Sequence, residues 1–413
     1  MTATTGAPSV FEAGLPTLDY DISESPHEVC ERIRAAQLRG PIAIGPFGPE
    51  ILSYELARSV LRDTRFVIPP GLHLAAQGVT SGPLWDRVVG SIICVEGAEH
   101  HRLRSLVSRA FTPRATLRLH DTIGEVVNEL IDGVVRIDGA DGCDIVTDIA
   151  RHYPIPIICA LLGAPRASWA EFSRWAEAIF KMANFSVDLA EEAPEILRGW
   201  AELDAYVDEM IAERRHRLTD DLLSDLIRAE DDGDRLSADE LRMTVASLLL
   251  AGTDTTRNQL AASVQVLLDH PEQWAMLREH PELAMPAVEE TMRHSPAVCN
   301  TVRTVYDDVE LDGYTFPAGS YIFVNSFAAN RDPDIYPDPD RFDITRKDAP
   351  AVLTFGGGVH YCLGANLARL ELAEGLKILA NRLPDARRAG PAPWKPMLGM
   401  SGPTSLPVEF GRR

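Results

Sequence analysis

Cys362 closes a loop, Phe355-Gly356-Gly357-Gly358-Val359-His360-Tyr361-Cys362-Leu363-Gly364, and apolar residues at 363, 367, 370, 372 and 376 then recur at helical spacing. A thiol at that junction faces unpaired backbone N–H groups and the positive end of the helix dipole, which lower its pKa and make the sulfur a better metal ligand. Three consecutive glycines let the loop backbone approach the sulfur, and Gly364 removes a side chain where the helix would meet a flat cofactor. The chemistry expected here is metal ligation by a thiolate.

A second group lies at Gly252-Thr253-Asp254-Thr255-Thr256. The helix that must hold it is predicted over residues 237–270. Ser237-Ala238-Asp239-Glu240 is a capping box, no proline follows until Pro271, and residues 245–252 are apolar or small on every face apart from Ser247. Such a helix spans about 50 Å at ~1.5 Å per residue and crosses the molecule. A glycine, three β-branched residues and an acid in its middle weaken it by about 2 to 3 kcal/mol relative to alanine. Local rules are broken at that cost mainly at functional places. A buried Thr can bond back to the carbonyl four residues earlier and open a groove, and a neighbouring acid can relay protons. Further upstream, His100 and Arg104 share one face of a helix that starts near Glu99, a clamp for a carboxylate. Glu290 and Arg293 share another helix face, and Arg341 is expected to complete a buried ion network with them.

The stretch around Cys362 matches Phe-x-x-Gly-x-Arg/His-x-Cys-x-Gly, and with Ala251-Gly252-Thr253-Asp254-Thr255-Thr256, His100-x-x-x-Arg104 and Glu290-x-x-Arg293 it resembles a cytochrome P-450, a haem-thiolate monooxygenase of the soluble bacterial type. The resemblance implies a mainly α fold with small β-sheets and a long central helix over a buried haem b. It makes Cys362 the iron ligand, screened by Phe355 in the loop with Gly356, and places His100, Arg104, Arg303 and His360 at the haem propionates. Ala251 lines the cofactor, and Asp254 and Thr255 are the acid and alcohol of oxygen activation. The reaction implied is reductive activation of O2 and hydroxylation of a C–H bond in a lipophilic small molecule. Peroxide-driven chemistry is the alternative within enzymes, which the acid–alcohol pair speaks against; a haem-binding sensor or carrier is the alternative from another class, separated by turnover with electron donors.

The net charge of −21 argues against nucleic-acid binding, and 45% hydrophobic with 24% charged residues is an ordinary globular composition. No long apolar run suggests a membrane anchor, and residues 1–14 do not read as a signal peptide, so a cytoplasmic monomer is expected. The six cysteines have no Cys-x-x-Cys pair, so neither a zinc ribbon nor a disulfide framework is suggested. No Gly-x-Gly-x-x-Gly follows a strand, so electrons must come from another protein. For the family this is a ferredoxin fed by an NAD(P)H-dependent reductase. Arg102, Arg104, Arg109, Arg114 and Arg118 form a basic cluster able to steer an acidic donor, with Arg102 and Arg109 the main candidates.

The rest of the chain is expected to position these groups within one domain, residues 1–413. Residues 1–20 read as a loose tail, 25–38 and 54–61 as helices, and 41–53 as a hairpin. Residues 69–97 read as a long loop over the site, and 168–185 and 194–215 as two lid helices, with Phe180, Met182, Ala183 and Phe185 toward substrate. Residues 308–316 and 320–326 read as strands that extend the small sheet, with Arg303 just before the first of them.

Overall fold

The computed structural model describes residues 6–72, 74–108, 111–135, 141–183, 187–231 and 236–411. Its axis is the helix Ala238–Asp269, 32 residues and so about 48 Å long at ~1.5 Å per residue. The Ser237 hydroxyl accepts from the Glu240 N–H while the Ser237 N–H donates to the Glu240 carboxylate at 2.6 Å, closing the expected capping box. Against this helix pack Pro154–Leu162, Leu189–His216, Ala284–His294 and Ala365–Arg382, together with a π-helical turn, Ile145–Ala150. The weak stretch 252–256 does not break it. Thr253 Oγ1 donates to the Leu249 carbonyl at 2.7 Å and Thr255 Oγ1 to the Ala251 carbonyl at 3.0 Å, yet the helix continues because its neighbours enclose it.

Residues 145–162 have the length and hydropathy of a membrane span, but 67% of the stretch is buried within the fold. Its apolar character serves the core beside the central helix.

The loop reading of residues 69–97 needs correction, since Pro83–Val89 is a helix. Glycines 82 and 90 flank it closely, and the surrounding glycines and prolines mask its helical pattern. Arg87 from this helix makes two hydrogen bonds to Asp204 (2.6 and 2.9 Å) and lies over Trp200, so it is clamped to the lid helix. The two helices expected as a lid are Trp169–Phe180, followed by a 3-10 turn at Lys181–Ala183, and Leu189–His216. The second helix starts five residues before Pro194 because Asp188 caps it, accepting from the Ala190 N–H at 2.9 Å. Phe180 and Met182 pack against the main core, while Phe185 lies outside the described residues.

A four-stranded sheet runs in the order Ile42–Gly45, Gly48–Ile51, Tyr321–Asn325, Asn300–Thr304. Arg303 is therefore inside a strand rather than ahead of one. Residues 308–316 do not extend this sheet; they form a separate hairpin, Val309–Leu311 with Tyr314–Phe316, turning at Asp312 (φ 51) and Gly313 (φ 79). Two successive positive φ values are what an Asp-Gly hairpin turn requires. The supposed tail is docked from residue 6 onward in part by this hairpin, since the Val10 N–H donates to the Thr315 carbonyl and Val10 and Leu18 are buried.

The buried ion network has a different third member from the one expected. Arg293, 1% exposed, forms paired hydrogen bonds to Glu290 at 2.7 and 2.9 Å, and Arg346 lies 3.3 Å from the same carboxylate. The Arg341 side chain is 67% exposed and pairs with Asp343; only its backbone carbonyl reaches Arg293. All six cysteines are free, and burial pushes the thiols of Cys143 and Cys299 up to about 12, which fits inert packing roles.

Candidate active site

The cysteine loop is held by a glycine that nothing can replace. At Gly358 (φ +64) an added Cβ would lie 2.3 Å from the Leu61 carbonyl oxygen, so the backbone of the loop presses directly on the end of Tyr54–Val60. Gly356 also has a positive φ, +70. The Cys362 N–H donates to the Phe355 carbonyl at 2.9 Å, closing the loop just before the helix Ala365–Arg382, whose N-cap is Gly364. An added Cβ on Gly364 would meet open space, and Cys362 itself is exposed. Arg369 lies over the Phe355 ring at 4.4 Å and pins it beside the loop. The thiol departs from expectation in one respect. The protein around it pushes its pKa up by desolvation, against the Gly364 N–H and the charges of Arg104 and Arg369, which pull it down. The helix-end effect is present but is outweighed.

Four basic groups gather near this loop. Arg303 is 3% exposed, and burial lowers its guanidinium to about 10. It makes no ion pair among the described residues, only a hydrogen bond to the neighbouring Val302 carbonyl, although it feels the charge of Glu96. His100, also 3% exposed, lies 4.2 Å centroid to centroid from His360. Burial brings His100 down to about 4 and lowers His360 as well, so both are neutral N–H donors near pH 7 rather than the cationic clamp expected for His100. Because the fold favours neutral His100, acid removes stability as pH falls from the ordinary histidine value toward about 4. His360 Nε2 lies 3.0 Å from Glu96 but is not aligned to hydrogen-bond it. Arg104 donates to the Tyr361 carbonyl. Sequence reasoning missed Glu96, whose carboxylate also accepts the Ile68 N–H at 2.8 Å; lying four residues before His100, it had only helical spacing as a signal.

These residues fit the haem that the resemblance implies. A buried arginine without a carboxylate partner is costly. An unpartnered imidazole nitrogen beside it and an accessible thiol at the loop suit a cofactor that carries two carboxylates and a metal. Charge-assisted bonds to carboxylates contribute about 1.5 to 3 kcal/mol each. Arg303→Met is therefore expected to speed haem loss to an excess of a scavenging globin by about tenfold or more, and an unchanged loss rate would remove Arg303 from the propionate site.

On the central helix, burial is nearly complete through Leu250 and then opens at Ala251. Asp254, 6% exposed, receives Arg257 Nε at 2.6 Å and Asn258 Nδ2 at 3.1 Å on the same oxygen, Oδ1. Arg257 in turn lies 5.8 Å from the ring of Phe180 at the end of the first lid helix. Thr255 is more exposed than its neighbours Asp254 and Thr256, and its hydroxyl proton points back to Ala251. An acid tied at one oxygen beside an alcohol at the opening of a buried helix can pass protons inward.

The basic cluster is smaller than its sequence suggests. Arg102 pairs with Glu99 and Glu240, Arg118 with Asp220, and Arg109 lies outside the described residues.

A model of the family described as Cytochrome P450 matches residues 86–380. The chain is 36% identical over 411 residues to the luteothin monooxygenase of Streptomyces thioluteus, with 97% of each covered. It is 38% identical over 373 residues to the mycinamicin IV hydroxylase/epoxidase of Micromonospora griseorubida, covering 88% of this chain and 91% of that one. A myxobacterial cytochrome P450 solved in complex with myristic acid, 32% identical, superposes with a TM-score of 0.80 over 94% of this chain and 97% of its own. With a cysteine loop, a gathered set of basic groups and an acid–alcohol pair on one buried helix, the chain belongs to the cytochrome P450 family and is a monooxygenase whose cofactor is haem b.

Proposed function

We propose that the protein, acting as one catalytic domain, uses electrons from a ferredoxin to hydroxylate a lipophilic small molecule, and that Asp254 and Thr255 supply the protons. The observation that carries this reading is the pair Asp254 and Thr255 set where the buried, apolar stretch 245–250 of the central helix opens. The balance is one C–H bond and one O2 with two electrons and two protons, giving an alcohol and one water. Bound haem supplies the oxygen-binding iron and the one-electron chemistry. Cys362 would hold the iron, and Arg303, His100, Arg104 and His360 would hold the propionates. Asp254 takes a proton from water and passes one to the Thr255 hydroxyl, which directs its own proton inward. Burial of the surrounding helix keeps other water from competing.

A lipophilic substrate is supported by the apolar residues that Phe180, Met182 and the helix Pro83–Val89 bring to the lid side, and by the fatty acid bound to the myxobacterial relative. Ferredoxin docking is supported by the surface around the cysteine loop. Val359 is 50% exposed and Tyr361 39%, and Arg62, whose backbone abuts Gly358, makes no ion pair among the described residues. An apolar patch edged by an unpaired cation suits an acidic partner.

The test is turnover with a ferredoxin and its reductase, using lipophilic compounds first selected by their shift of the iron spin state. Thr255→Ala is expected to keep substrate binding while about tenfold fewer NAD(P)H electrons appear in product, the rest going to peroxide or water. Unchanged product per electron would reject the proton role, and absence of any spin-state response across lipophilic compounds would reject the substrate class.

A further inference from the structure

Lysine occupies only four positions, 181, 347, 377 and 395, among the 40 Lys and Arg of the chain. Lys181 pairs with Glu192 and Glu195, Lys377 pairs with Glu374, and Lys347 is exposed. Lys395 is different. It is half-buried in the turn where Trp394 bridges to Pro403, and no acid lies within ion-pair distance of it among the described residues. Its Nζ donates instead to Asn258 Oδ1 at 2.7 Å. Asn258 turns its Nδ2 to Asp254, 2.7 Å from the backbone carbonyl and 3.1 Å from Oδ1. Arg257 Nε and Nη2 reach the same Oδ1 at 2.6 and 2.5 Å. Every donor on the Asp254 carboxylate thus goes to Oδ1, and among the described residues Oδ2 accepts none.

An ammonium can only donate, whereas an Asn amide has one end that accepts and one that donates. Lys395 therefore reinforces the way Asn258 faces, with its oxygen outward and its N–H groups toward Asp254. The reverse orientation would set the amide oxygen against the Asp254 carbonyl and carboxylate and the amide N–H groups against an ammonium, so Lys395 and Asp254 favour the same orientation from opposite ends.

We propose that Lys395 is a positioning residue for the proton supply: through Asn258 it holds the Asp254 carboxylate with Oδ1 tied down and Oδ2 left to take a proton from water and hand one to Thr255. The inference rests on the reading of Asp254 and Thr255 given above. A lysine serves here where arginine is the rule because burial keeps its charge adjustable; arginine stays charged throughout. Burial lowers the Lys395 ammonium, Asp254 raises it and Arg257 lowers it. Around it, Gly402 accepts the Lys395 N–H, Ser401 donates to its carbonyl, and His27 of the helix Pro26–Gln37, its own pKa lowered by burial, meets the adjacent Trp394 edge-on. The charge on Lys395 is lost as pH rises through its depressed value, below the ordinary lysine range.

The experiment measures product per NAD(P)H in the holoenzyme across about pH 6 to 10, for the parent, Lys395→Met, Lys395→Arg and Asp254→Asn. The parent is expected to lose coupling on the alkaline side below the ordinary lysine range. Lys395→Met lowers coupling about tenfold at neutral pH, as removing an orienting partner commonly does, and flattens the profile. Lys395→Arg restores coupling and abolishes the alkaline fall. If Asp254→Asn couples like the parent, the reading of the acid fails; if it uncouples while Lys395→Met does not, or if Arg fails to restore what Met removes, this inference fails. A second readout does not depend on turnover: the rate at which a small acylating reagent modifies Lys395, followed by mass spectrometry against pH. The midpoint is expected to move down in Asp254→Asn, which loses the charge that raises it, and an unmoved midpoint overturns the coupling of Lys395 to Asp254.

Discussion

Replacing Cys362 with Ser is expected to abolish the strongly red-shifted Soret band of the reduced carbon-monoxide complex, the largest spectral change any single substitution in this chain should produce. That band reports a thiolate bound to iron, and the hydroxyl of serine cannot supply the same donation. The other cysteines cannot substitute. Cys94, Cys159 and Cys299 are buried in the core, and Cys30 and Cys143 are held by burial as unreactive thiols. The variant should still fold, since the loop is closed by the Cys362 backbone N–H and by Gly358 against Leu61, neither of which involves the sulfur. The check is the carbon-monoxide difference spectrum alongside haem content. A red-shifted band in Cys362→Ser would place the iron on another residue.

The second large effect concerns stability. Arg293→Met is expected to cost about 3 to 5 kcal/mol, the usual consequence of stranding one member of a buried pair. Glu290, 4% exposed, would keep Arg346 at 3.3 Å and the Asp343 N–H at 2.9 Å, and of the three backbone carbonyls that Arg293 now serves, those of Asn330 and Pro339 would lose their donor while that of Arg341 would keep Arg346. Arg341→Ala, which removes an exposed side chain paired with Asp343, should cost less than about 1 kcal/mol. Urea unfolding of the two variants beside the parent separates them. Comparable losses would mean that Arg341 belongs to the network after all.

The sequence by itself determined the parts that local chemistry controls. The central helix starts at its capping box and stops at the residue before Pro271 because both signals act within one turn. The cysteine loop could be read for the same reason, since three glycines, a cysteine and the start of an amphipathic helix all fall within ten residues. The Asp312-Gly313 turn was equally local and was still misread, as a continuous strand where the chain folds back on itself. The helix Pro83–Val89 was hidden by the glycines and prolines around it, although Tyr54–Val60, of the same length, could be read.

Only the tertiary structure decided which charges meet. Arg341 and Arg346 are five residues apart in a segment without regular structure, and nothing in their spacing says which one turns inward; packing against Glu290 does. Lys395 reaches Asn258 across 137 positions, and His360 approaches Glu96 from more than 260 positions away. Arg102, which reads as a free surface cation, is neutralised by Glu240 at the start of the central helix. A sequence displays partners three or four residues apart because helix geometry repeats at that interval. Partners brought together by chain crossing have no such interval, so the burial of Arg303, the neutrality of His100 and the open oxygen of Asp254 are properties of the fold alone.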